Sequence, residues 1–139
     1  METTEKYFKR WCTKQSIFCK KFLTHTLTGN GGNQEADFLV ANNKNVYFVE
    51  CKERHGTLFE FEGLTQEIKL KLVTKKTSQI KIYILVNFIE YNIIFFISFQ
   101  EYLQLKDTSK FNNGKSRKSF NIKEIPQKYL FTWKTLFLP

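Results

Sequence analysis

Two strand-like runs with almost no chain between them constrain this fold more than anything else in the sequence. Glu35–Ala41 and Val46–Glu53 are strongly strand-like, and only Asn42-Asn43-Lys44-Asn45 separates them. So short a connection makes an antiparallel hairpin. A turn centred on Asn43-Lys44 pairs residues whose numbers add to 87, which sets Asp37 opposite Glu50. Directly opposed residues have β-carbons about 4.5–5.5 Å apart. Side chains alternate between faces along a strand, so Glu50 and Lys52 share a face with Asp37. The other face takes Phe38, Val40, Tyr47, Val49 and Cys51, an apolar set suited to packing under a helix.

Two carboxylates and one lysine therefore converge on one patch of sheet. Leu39 and Phe48 lie on that same side, so the patch is partly apolar. Side-by-side carboxylates in such surroundings raise each other's pKa and are well accommodated by a divalent cation. Few, hard oxygen ligands, completed by water and phosphate, suit Mg²⁺. Bound there, the ion would polarise a phosphodiester and activate water, with Lys52 as a fixed cation beside the developing charge. On these three residues alone, a cross-strand ion pair is the plainer explanation.

The rest of the chain supplies context. Residues 3–15 carry Tyr7, Phe8, Trp11 and Cys12 at helical spacing, with Glu5 at the edge of the buried stripe. Ser16–Leu23 is expected to form a first strand, and Thr24–Gln34 a loop. Leu58–Lys76 has the spacing of a helix through Leu64, Ile68, Leu72 and Val73. Gln79–Phe88 and Tyr91–Phe99 form a second hairpin, and Ser98-Phe99-Gln100-Glu101 is a capping box opening a helix to about Leu105. A polar, basic loop follows over Lys106–Ser119, then an apolar tail from Tyr129 to Leu138 that completes the core or a dimer contact. This order describes an α/β or α+β sheet flanked by helices in one domain spanning residues 1–139.

The spacing is more specific in this setting. Glu35-Ala36-Asp37-Phe38-Leu39-Val40, a turn, and Val46-Tyr47-Phe48-Val49-Glu50-Cys51-Lys52 resemble the PD-(D/E)xK nuclease superfamily, with Ala36 where a proline usually stands. The likeness extends to the RecU-type Holliday junction resolvases over residues 3 to 125, through Phe59–Gln66, Asn87–Leu105 and the loop Asn113–Phe120. It implies an α/β restriction-endonuclease-like core with a mixed central sheet flanked by helices. It also implies a homodimer that nicks four-way DNA junctions symmetrically with Mg²⁺, or Mn²⁺ in its place. Asp37, Glu50 and the main-chain carbonyl of Cys51 would be metal ligands, and Lys52 the catalytic lysine. Glu5 would match the family's helix glutamate near the metal, and Gln66 would sit near the scissile phosphate. An exposed helix residue near the favourable end of the dipole explains Glu5 equally well, and an ordinary polar helix position explains Gln66. RecU proteins carry a long basic stalk before the Asp strand; here that interval shrinks to Thr24–Gln34, a length nearer the compact archaeal and viral resolvases.

Charge agrees with a polyanionic partner. The chain has a net charge of +9 and a pI near 9.5, with basic residues spread from Lys6 to Lys134. Lys115, Arg117 and Lys118 in the Gly/Ser/Asn loop are candidate DNA contacts that would add affinity without sequence information. Cys12, Cys19 and Cys51 form no CxxC, and with only His25 and His55 they make no zinc site of ordinary spacing. Sparse thiols and an acidic start without an apolar leader point to a cytoplasmic protein. Asn87, Glu90 and Asn92 break the Ile80–Phe99 stretch, which excludes a membrane span. Two other readings remain open here: a restriction or repair endonuclease with the same core, and a DNA-binding module without catalysis.

Overall fold

The computed structural model describes residues 3–22, 36–60, 80–108 and 119–139. The first element is the helix α1, Thr4–Lys14. The Thr3 side chain accepts the Lys6 N–H at its start, Glu5 lies in the first turn and Lys14 in the last, all favourable to the helix dipole. Thr4, Phe8, Trp11 and Cys12 form its buried stripe. Tyr7, expected in that stripe, is instead 41% exposed. It lies one position off the Thr4–Phe8–Trp11 line and stacks on Trp133 from the outside.

Ser16, in the left-handed region at φ 57°, turns the chain into β1, Phe18–Lys21. Next come β2, Phe38–Ala41, and β3, Val46–Arg54, forming an antiparallel meander with β1. The turn between β2 and β3 needs no glycine. Asn42 Oδ1 accepts the N–H groups of Lys44 at 2.9 Å and Asn45 at 2.8 Å, and Asn42 N–H reaches the Asn45 carbonyl at 3.1 Å. A side chain thus does the work of a backbone turn. The register is the expected one, with Phe38 opposite Val49, Leu39 opposite Phe48 and Val40 opposite Tyr47.

The chain then forms β4, Leu58–Glu60, which corrects the expectation of a helix from Leu58. Leu58 is exposed and Phe59 fully buried, a period of two rather than 3.6. Its partner is β7, Ser119–Asn121, in a small antiparallel sheet. The apolar helical spacing begins only at Leu64, and residues 61–79 lie outside the described part. Between these come β5, Ile80–Phe88, β6, Ile93–Ser98, and α2, Phe99–Thr108. Ser98 opens α2 as expected, accepting the Glu101 N–H at 3.2 Å and donating to Glu101 Oε1 at 3.1 Å. Helix α2 runs on through Lys106, which corrects its placement in a loop, and Ser119 belongs to β7. The last strand is β8, Leu130–Phe131.

The main sheet is mixed, in the order β1-β2-β3-β5-β6-β8, with β3 and β5 parallel and the other neighbours antiparallel. Both faces are covered. Phe8, Trp11 and Cys12 of α1, with Leu136 and Leu138 of the tail, pack on Phe38, Val40, Tyr47, Val49 and Leu85. On the opposite face, Phe99 and Tyr102 of α2 join Phe59, Ile122 and Ile125 over Ile82, Ile84, Val86 and Phe95. Burial on two sides explains why β5 reads as a nearly unbroken apolar run. The tail completes the core as expected. Among the described residues, no helix is long and apolar enough to cross a membrane.

Candidate active site

Asp37 immediately precedes the paired part of β2, and the register continues through it to Glu50. Alternation along β3 then puts Glu50 and Lys52 on the α2 side of the sheet, in line with Ile84 and Val86 of β5. The continued register would next pair Ala36 with Cys51. Instead, Asp37 Oδ2 accepts the Cys51 N–H at 2.8 Å. The carboxylate has taken the place of a main-chain acceptor, which fixes its position against β3. A strand residue in an antiparallel ladder presents its N–H and C=O on the same edge. The Cys51 carbonyl is therefore offered on the edge where Asp37 sits.

Glu50 is 5% exposed, and Lys52 Nζ lies 3.7 Å from its Oε1. Leu39 and Phe48 wall the group, and Phe22 packs edge-on against Phe48 at 5.3 Å. Burial, then the charge of Asp37, pushes Glu50 up to about 8, with Lys52 opposing. Burial also raises Asp37; the Cys51 N–H pulls the other way, and the charge of Glu5 adds to the rise. The side-chain interaction between the two carboxyls raises Glu50 further and opposes the rise at Asp37. Burial holds the Cys51 thiol far above the ordinary range, reinforced by Asp37 and Glu50. Its sulfur is a poor anionic ligand, so only its carbonyl suits a hard ion.

The plain ion pair exists, but it leaves an acid over. Two carboxyls, Glu50 buried and Asp37 half-buried, face one ammonium, and the excess negative charge is held in check by a proton or by a cation. Among the described residues no three His, Cys, Asp or Glu side chains gather as a metal cluster. The available set is two carboxylates and a carbonyl, with the remaining positions left to water or phosphate. That composition fits Mg²⁺, which keeps waters and takes one or two carboxylates.

Glu5 approaches from α1, on the other layer. Its charge is felt at both Asp37 and Cys51, while Lys21 Nζ lies 3.5 Å from its Oε1. Gln66, Lys115, Arg117 and Lys118 lie outside the described residues. His55 is a loop residue, its Nδ1 3.1 Å from Glu90 Oε1, which also accepts the Gly56 N–H at 3.1 Å.

A supporting network was missed in the sequence. Glu53 Oε1 accepts the Thr4 hydroxyl at 2.6 Å and the Thr4 N–H at 3.3 Å, and Asn87 Nδ2 donates to Thr4 Oγ1 at 3.2 Å. It ties the start of α1, and with it Glu5, to the residue following Lys52. The signal was Asn87 itself, a buried amide inside an apolar strand, which attracted notice only as a break in hydropathy.

No family profile matches the sequence, and no curated protein matches it in sequence. In structure the chain is similar to Archaeoglobus fulgidus Hjc, a Holliday junction resolvase from an archaeal hyperthermophile. The TM-score is 0.60 at 9% identity, covering 86% of each chain. The fold is therefore α/β, a mixed central sheet flanked by helices, and it is shared with that protein.

Proposed function

We propose that this chain is a Mg²⁺-dependent endonuclease that cuts branched DNA at four-way junctions. The observation that carries this reading is the pairing of half-buried Asp37 with buried Glu50, with Lys52 beside them, on the face of a resolvase-like sheet. Asp37, Glu50 and the Cys51 carbonyl would hold the ion, with Mn²⁺ as substitute. Bound there, Mg²⁺ supplies polarisation of the scissile phosphate and a lowered pKa for the attacking water.

The protein's own groups do the rest. Glu50 gives up its proton on loading, so metal binding is linked to proton release. Asp37, held by the Cys51 N–H, keeps its oxygens fixed. Lys52 places a positive charge where the phosphorane develops negative charge. Leu39, Phe48 and Phe22 limit bulk water on one side, which strengthens that interaction. Glu5 is a further carboxylate at the rim, Gln66 a candidate phosphate contact, and Lys115, Arg117 and Lys118 candidate backbone contacts. A homodimer would present two such sites to the two equivalent strands of a junction.

The test compares a synthetic four-way junction with a linear duplex of the same arm sequence, in Mg²⁺. Paired symmetric nicks in the junction alone are expected. Equal cutting of the duplex would refute junction selectivity and favour a restriction or repair enzyme. Junction binding with no cutting in Mg²⁺ or Mn²⁺ would leave a non-catalytic DNA-binding module.

A further inference from the structure

Away from the carboxylates, the outer side of α1 and the C-terminal segment enclose a cleft of about 430 Å³. Tyr7, Arg10, Trp11, Lys14, Trp133 and Lys134 line it. Three of these carry positive charge, and none of the described lining residues is acidic. Tyr7 and Trp133 stack with centroids 5.8 Å apart and planes at 20°, and Arg10 lies 4.9 Å over the Tyr7 ring. Tyr7 remains 41% exposed despite both neighbours. Trp11 is 8% exposed, and its indole N–H has no hydrogen-bond partner among the described residues.

Cations and flat rings around a cleft of this size match one chemistry. We propose that the cleft binds an unpaired stretch of nucleic-acid strand, with a base against the Tyr7–Trp133 stack and the backbone phosphates against Arg10, Lys14 and Lys134. A duplex hides its base faces in its own stack, whereas an unpaired strand exposes them to aromatic side chains. Arg10 lies five residues beyond Glu5, about 8 Å along the helix axis. None of Glu5, Asp37, Glu50 and Lys52 lines the cleft, so a strand held here does not use the carboxylate site.

Trp11 and Trp133 are the two tryptophans of the chain, so its indole emission reports on this cleft directly. The experiment titrates the full chain with oligothymidylate in EDTA, following tryptophan fluorescence. Saturable quenching that weakens with salt is expected. Trp133→Ala should weaken binding about tenfold or more, and Trp133→Phe should restore most of it. The double variant Arg10→Gln, Lys134→Gln changes only exposed side chains, so it reads binding where Trp133→Ala fails to fold. It should flatten the dependence of log K on log salt by about 1.4. Asp37→Ala should leave the quenching intact while abolishing cleavage, which separates this site from the catalytic one. No quenching at low salt, or unchanged affinity in both the Trp133→Ala and the double variant, would overturn the proposal. So would loss of self-association in Trp133→Ala without effect on oligonucleotide affinity, which would make the cleft a contact between copies.

Discussion

Glu50 is a carboxyl group that the fold holds in the wrong state for water, and its titration has a thermodynamic consequence. Its ordinary value is 4.5 and its folded value about 8. The native state therefore holds this proton more tightly than the unfolded chain. Stability from that proton is fully present below the unfolded value and is lost as pH rises through the folded one. Asp37 is shifted in the same direction. Without divalent ions, the melting temperature should fall between about pH 5 and pH 8. Mg²⁺ should recover most of that loss, and Glu50→Gln should flatten the profile. A flat wild-type profile would mean that the carboxyls are not coupled as described. The pairing of Asp37 with Glu50 was legible because strand alternation and a turn of four residues are local facts. The Cys51 N–H bond to Asp37 was not, because a ladder pattern says nothing about where a side chain replaces a carbonyl.

At the level of elements, α1 is held to the sheet by apolar packing and by the Thr4–Glu53–Asn87 bonds at its start. Removing a charged acceptor from bonded donors costs about 1–3 kcal/mol. Glu53→Ala should therefore lower unfolding stability by that amount in urea titration, and Glu53→Gln by less. If Glu5 works at the metal, Glu53→Ala should also slow cleavage beyond what its stability loss explains. Strand β4 offers a second test. Phe59→Ala empties a buried site against Phe95 and Tyr102 and should cost about 3–5 kcal/mol. Leu58→Ala next to it, being exposed, should change stability by less than about 0.5 kcal/mol. Two equal effects would contradict the strand. Amphipathic spacing made α1 readable in advance, apolar β-branched and aromatic runs did so for β3 and β5, and the capping box marked the start of α2. Nothing local encoded β4, since its partner β7 comes from the far end of the chain. Likewise, Thr4 meets Glu53 across 49 positions and Asn87 across 83.

For the molecule as a whole, a charge of +9 on a sheet covered on both faces suits the polyanionic partner that the proposed function requires. Junction affinity should fall steeply with salt, since each phosphate neutralised adds about 0.9 to the slope of log K against log salt on duplex arms. Sedimentation equilibrium should give a dimer; a monomer that still makes paired nicks would remove the need for two-fold symmetry. The resemblance to a resolvase was legible through Asp37, Glu50 and Lys52, and the shared fold agrees with it at 9% identity. What such distant likeness leaves to the bench is chemistry. The most direct measurement is single-turnover cleavage of a labelled four-way junction in Mg²⁺ by wild type, Asp37→Asn and Lys52→Ala. All three should bind the junction in EDTA. Asp37→Asn, which keeps an acceptor for the Cys51 N–H but halves the ligand charge, should abolish cutting, and Lys52→Ala should slow it by about 10²–10³-fold. Cutting by Asp37→Asn at the wild-type rate would contradict the assignment of this carboxylate site as the catalytic centre.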